Sequence, residues 1–116
     1  MTMKEKMLAG KPYLACDPEL AAEHQRALEQ MYEFNHSHPS EVTKREGIIR
    51  NLFRKTGKKF VIHQPLTCDY GCNIEIGENF YCNYNLTVLD VCKVTIGDNV
   101  MIAPNVSLYA AGHPVH

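Results

Sequence analysis

Six histidines, five cysteines and thirteen acidic residues are the side chains through which this sequence can move protons, hold metals or form covalent bonds. Imidazole titrates near pH ~6.5 and can take and return a proton at neutral pH. His113 stands between Gly112 and Pro114, and the proline restricts the backbone on its N-terminal side, holding the histidine in direction. On spacing alone His113 reads as a surface-loop histidine. His36 and His38 lie beside a helix break and read as capping or surface residues, while His24 and His63 carry no motif. The cysteines (Cys16, Cys68, Cys72, Cys82 and Cys92) include no C-x-x-C pair, so structural zinc lacks its usual spacing. They read as reduced, small buried hydrophobes.

Two segments of different periodicity must position these groups. Residues 1–57 read as a helical N-terminal segment. Thr2 is placed to cap a short helix that ends at Ala9-Gly10, with glycine where a left-handed residue is wanted. Asp17-Pro18-Glu19 predicts a stronger start: an N-cap, a proline at N1 and an acid at the positive helix end. Leu20, Ala21, Ala27, Leu28, Met31 and Phe34 then form an apolar stripe. Asn35-His36-Ser37-His38-Pro39 breaks that helix. A third begins at Ser40-Glu41, with Val42, Ile48, Ile49, Leu52 and Phe53 on one face and Arg54, Lys55 and Gly57 at its end.

From about residue 58 to 116 the pattern changes to a twenty-residue repeat. Gly57-Lys58-Lys59-Phe60, Gly77-Glu78-Asn79-Phe80 and Gly97-Asp98-Asn99-Val100 align, as do Ile62, Cys82 and Ile102. Leu66, Leu86 and Val106 form another column, and Cys68, Val88 and Leu108 a further one. Ile74 aligns with Val94, and Ile76 with Ile96. Within the last repeat Ile96, Ile102 and Leu108 are six apart. Three such hexads leave two residues over for a corner or small loop. The pattern predicts a solenoid of three short strands per coil, each coil hydrogen-bonded to its neighbours and sending aliphatic side chains into a central stack. Asn79, Asn99 and Asn105 suit corners, because asparagine tolerates left-handed backbone. A β-sandwich would need two-residue alternation over longer strands, which the columns lack.

Composition narrows the function classes. The chain has 116 residues, 45% hydrophobic and 22% charged, with a formal net charge of -1, as in a soluble globular protein. Without clustered lysine and arginine it is poor material for binding nucleic acid. No stretch approaches the ~20 apolar residues of a membrane span. No apolar run follows Met1-Thr2-Met3-Lys4-Glu5-Lys6, so a cytoplasmic location is expected.

The hexads have the aliphatic-Gly-x-x-small pattern of the left-handed parallel β-helix acyltransferases. Met7-Leu8-Ala9-Gly10, Tyr32-Glu33-Phe34-Asn35-His36-Ser37, Asp69-Tyr70-Gly71, Asn73-Ile74, Leu89-Asp90-Val91-Cys92, Ile96-Gly97-Asp98-Asn99 and Ala111-Gly112-His113-Pro114 occur in order along the chain. Together they resemble the sugar O-acetyltransferases of the maltose and galactoside types over essentially the whole length. The fold so implied is mainly β, a left-handed parallel β-helix behind a helical N-terminal segment. The implied activity is acetyl transfer from acetyl-coenzyme A to a sugar hydroxyl, without a metal, in homotrimers whose active sites lie between subunits.

Residue by residue, the resemblance makes His113 the general base. Asn83 matches a position that shapes the acetyl-transfer site, and Ala103 is assigned with it to the coenzyme. Asp17 matches an acidic acceptor-site residue, beside its role as helix cap. Asp69 and Asp90, in coil loops, can accept hydrogen bonds from sugar hydroxyls. Asp90-Val91-Cys92 is maltose-like, whereas the segments around His36 and His113 are galactoside-like, so the acceptor stays open. The resemblance also implies further coils with most of the coenzyme contacts, so the chain reads as the first part of a longer β-helix. One alternative is a fragment acting only as a structural or trimerisation unit. Another is a γ-class carbonic anhydrase with His63, His113 and His116 on zinc, whose spacing and surrounding motifs do not match.

Overall fold

The computed structural model describes residues 1–11, 13–14 and 17–110. Three helices come first: α1 (Met3–Leu8), α2 (Pro18–Asn35) and α3 (Val42–Leu52). Eight short strands follow: β1 (Phe60–Ile62), β2 (Leu66–Cys68), β3 (Ile74–Ile76), β4 (Phe80–Cys82), β5 (Leu86–Leu89), β6 (Val94–Ile96), β7 (Met101–Ile102) and β8 (Ser107–Tyr109). They stack as three parallel sheets, β1-β4-β7, β2-β5-β8 and β3-β6. Phe60 pairs with Phe80, Leu66 with Leu86 and Ile74 with Val94, so the register follows the twenty-residue repeat. Lys55 pairs with Glu75 in the same register and extends the third face toward the helices.

Local chemistry explains the helix ends. Thr2 and Glu5 form a reciprocal capping box on α1, and Gly10 adopts a φ of 73° beyond its C-terminus. Asp17 Oδ2 accepts the backbone N–H groups of Glu19 and Leu20 at 3.1 and 3.4 Å, with Pro18 at the first helical position. Asn35, at the end of α2, donates to the Leu66 carbonyl at 2.9 Å and accepts the Leu66 N–H at 2.8 Å. That pair pins the helix to the first coil. His36 ends α2 and stacks on Tyr32, while His38 bonds Ser40 at the surface.

Leu20, Ala27, Met31 and Phe34 of α2 are buried, but Leu28 is 43% exposed and Ala21 faces outward too. At about 100° per residue, each lies one step round the helix from the buried line. Val42, at the first turn of α3, is likewise exposed, and Ile48, Ile49 and Leu52 carry the packing. These side chains join Phe60, Leu66, Ile74, Phe80, Leu86 and Val88 in one core, so the helices cover one end of the coil stack.

The strand positions locate the two residues left over by the hexads. Corners 63–65 and 77–79 are tight, whereas 69–73 and 90–93 are longer. At the tight corners Asn79, Asn85, Asn99 and Asn105 all have positive φ, Asn85 being a corner the repeat alone did not single out. Asn79 donates to Asn99, and Asn85 to Asn105, each at 3.0 Å.

Candidate active site

The three corners carry different chemistry. On the 63–65 corner the register stacks His63, Asn83 and Ala103 twenty residues apart. The Asn83 backbone N–H donates to the Ile102 carbonyl at 3.0 Å, and its side-chain amide reaches the same oxygen at 3.3 Å. Ala103 is exposed directly after β7. The His63 ring packs between two aromatic side chains: its Nε2 lies 3.0 Å from the Tyr81 hydroxyl, and the Tyr84 ring centroid is 5.0 Å away. No motif marks His63; the strand register places it over Asn83.

The longer corner holds Asp69 and Asp90. Asp90 is fully buried. Its Oδ1 accepts the backbone N–H groups of Asp69 at 3.0 Å and Tyr70 at 2.9 Å, and its carbonyl accepts the Asn73 side-chain amide at 2.8 Å. Burial pushes the Asp90 carboxyl up to about 6, and the amides of Tyr70 and Asp69 hold it back part of the way. Asp69 is half-buried, and its carbonyl accepts a hydrogen bond from His24 Nδ1 at 2.7 Å.

The N-terminal helices close over this corner. Met7 and Leu20 pack on Tyr70 and Val91, with Met3, Tyr13 and Cys72 at the margin. Lys4 pairs with Glu23 at 2.5 Å and ties α1 to α2. Burial raises the phenols of Tyr13 and Tyr70, the latter to about 12, and the Asp69 charge adds to both. Asp17, capping α2 three residues before Leu20, therefore belongs to the same end of the molecule as Asp69, whereas Asn83 and Ala103 sit across the β2-β5-β8 face. His113 and His116 lie outside the described residues.

Cysteine chemistry is muted. Cys68 and Cys82 are buried and Cys72 and Cys92 half-buried, all as free thiols; burial raises the Cys82 thiol to about 11 and raises Cys68 and Cys72 as well. Among the described residues no three His, Cys, Asp or Glu side chains are grouped to hold a metal, and no helix is long and apolar enough to cross a membrane.

Residues 6–57, the helical segment and the chain leading into the first coil, match the family described as the maltose acetyltransferase hexapeptide capping motif. Galactoside O-acetyltransferase of Escherichia coli (strain K12) is 51% identical over 116 residues, which is 100% of this chain and 57% of that protein. Over its whole length the chain is similar to galactoside and maltose O-acetyltransferases. A solved maltose O-acetyltransferase from Clostridium difficile 630 superposes with a TM-score of 0.97 at 50% identity, covering 100% of this chain and 62% of that one. A galactoside acetyltransferase solved in complex with coenzyme A superposes with a TM-score of 0.94 at 51% identity, covering 100% and 58%. The chain thus spans about three fifths of the length of these relatives. The match supports the β-helix and helical segment read from the repeat and the caps.

Proposed function

We propose that the protein transfers an acetyl group from acetyl-coenzyme A to a hydroxyl of a galactoside or of a maltose- or glucose-type sugar, in the cytoplasm. The observation that carries this reading is the 51% identity, sustained over the whole chain, to a galactoside O-acetyltransferase.

In the proposed reaction the His113 imidazole takes the proton of the sugar hydroxyl as that oxygen attacks the thioester carbonyl carbon. The carbonyl oxygen gains negative charge in the tetrahedral intermediate, where the Asn83 amide is of the right type to donate to it. The C–S bond then breaks, and the imidazolium returns the proton to the departing thiolate. The products are the O-acetyl sugar and coenzyme A, with no change of oxidation state. Asp17 and Asp69 are assigned to the acceptor hydroxyls and Ala103 to the coenzyme.

A homotrimer is part of the proposal. On the outer side of β1-β4-β7, Val61 and Met101 leave apolar surface exposed, Met101 to 76%. Burial of such surface is an ordinary driving force for subunit association. Sedimentation of the full-length protein tests the assembly.

The activity is tested by acetyl-coenzyme A consumption with β-galactosides and with maltose, comparing wild type and His113→Ala in the full-length protein. Removal of a general base is expected to lower the rate by roughly two to four orders of magnitude. Equal rates would refute the role of His113.

A further inference from the structure

The residues in excess of three hexads enlarge one corner of the coil, and that corner is organised around a carboxylate that never reaches the surface. Asp90 has 0% of its surface exposed. Its Oδ1 receives the consecutive backbone N–H groups of Asp69 and Tyr70, at 3.0 and 2.9 Å. Consecutive amides converging on one anion form a nest, and hydrogen bonds to an ionised acceptor are about twice as strong as neutral ones. Gly71 completes the turn with a φ of 76°. On the other side of the same residue, the Asp69 carbonyl accepts His24 Nδ1 at 2.7 Å. The Asp69 backbone is thus tied at its N–H by Asp90 and at its C=O by a helix.

We infer that Asp90 is a positioning residue for the acceptor site: it fixes the turn at residues 69–71, and through it the direction of the Asp69 carboxylate, without touching the sugar. Its burial leaves no surface for a ligand, and its Oδ1 accepts the amides of the residue it positions and of the next one. The inference rests on the proposed assignment of Asp69 to the acceptor.

The test uses full-length protein carrying Asp90→Asn, Asp90→Ala, Asp69→Ala, and Asp90→Asn combined with Asp69→Ala. Asp90→Asn keeps an acceptor oxygen and the side-chain shape, so it remains informative if Asp90→Ala fails to fold. Asp90→Asn is expected to raise the acceptor KM roughly 10-fold, the scale of one weakened charge-assisted hydrogen bond. The KM for acetyl-coenzyme A is expected to stay within about two-fold. In the Asp69→Ala background, Asp90→Asn should add nothing to the acceptor KM, since its effect passes through Asp69. Amide exchange at Asp69 and Tyr70, measured without sugar, should quicken in Asp90→Asn. An unchanged acceptor KM, a full additive effect on top of Asp69→Ala, or unchanged exchange at those two amides would overturn the inference. Absence of acetyl transfer by the wild type would instead remove the acceptor reading, and the exchange data would still decide whether Asp90 holds the turn.

Discussion

The carboxylate of Asp98 occupies the space that a side chain at Gly77 would need. Its Oδ1 lies 2.3 Å from where a Cβ would stand and accepts the Glu78 N–H at 2.7 Å. The Gly97 carbonyl carbon is 2.7 Å from the same point, so backbone of the next coil would have to give way. The pattern has a precedent one coil earlier, where Glu78 receives the Lys58 N–H at 2.9 Å and Gly57 faces the Gly77 carbonyl. Gly77→Ala is therefore expected to cost about 1–3 kcal/mol, the usual range for forcing extra volume into packed structure. Gly47, exposed within α3, meets nothing within 4 Å of an added Cβ. Gly47→Ala is expected to stabilise by about 0.5–1 kcal/mol. Urea unfolding of the two variants should move the midpoint in opposite directions.

Asn85 and Asn105 combine left-handed backbone, with φ of 66° and 60°, and a side-chain hydrogen bond between coils. Alanine at position 85 loses both the tolerance for that conformation and the bond. Asn85→Ala should destabilise by about 1–2 kcal/mol, and Asn85→Gly, which keeps the backbone freedom, by less. Equal losses in chemical denaturation would show that the ladder bond matters and the conformation does not.

Asp17 separates capping from ligand binding. Asparagine caps a helix about as well as aspartate, whereas alanine costs about 0.5–2 kcal/mol. Asp17→Asn is expected to unfold at the wild-type temperature, and Asp17→Ala at a lower one. If the carboxylate also meets the acceptor, as proposed, both variants raise the acceptor KM. A normal KM in Asp17→Asn would leave Asp17 with its capping role alone.

The buried Asp90 carboxyl should make stability fall as pH rises. Burial lifts it from 3.8 to about 6, so the folded chain binds the proton more tightly than the unfolded chain. The stabilising contribution of that proton is fully present below pH 3.8 and is lost as the pH passes about 6. Comparison of wild type with Asp90→Asn by urea unfolding between these limits isolates the group. The difference in unfolding free energy should shift against the wild type with rising pH by on the order of 3 kcal/mol. A difference that stays flat across the window would contradict the assignment.

Much of the β-helix was legible because each coil contacts its neighbours at one fixed separation. Ile62 over Cys82, Cys68 over Val88 and Ile76 over Ile96 are both sequence columns and paired residues. The caps at Thr2 and Asp17 were legible for a similar reason, since a cap and the amides it meets are only a few residues apart. The stripe on α2 was read too broadly at Ala21 and Leu28, because periodicity gives a face but not how much of it the neighbouring element covers.

The sequence by itself determined the coil register, the corner residues Asn79, Asn99 and Asn105 and the helix starts, all governed by local backbone preference or by the repeat. Only the tertiary structure decided which corner received the two extra residues and that Asp90 turns inward beneath Asp69. It also decided that His24, 45 residues away in sequence, meets the Asp69 carbonyl. Those contacts depend on how α1 and α2 dock, with Met7 and Leu20 buried on Tyr70 and Val91. Apolar docking is non-directional, set by fit and buried area, and leaves no fixed spacing in the chain from which to read its partner.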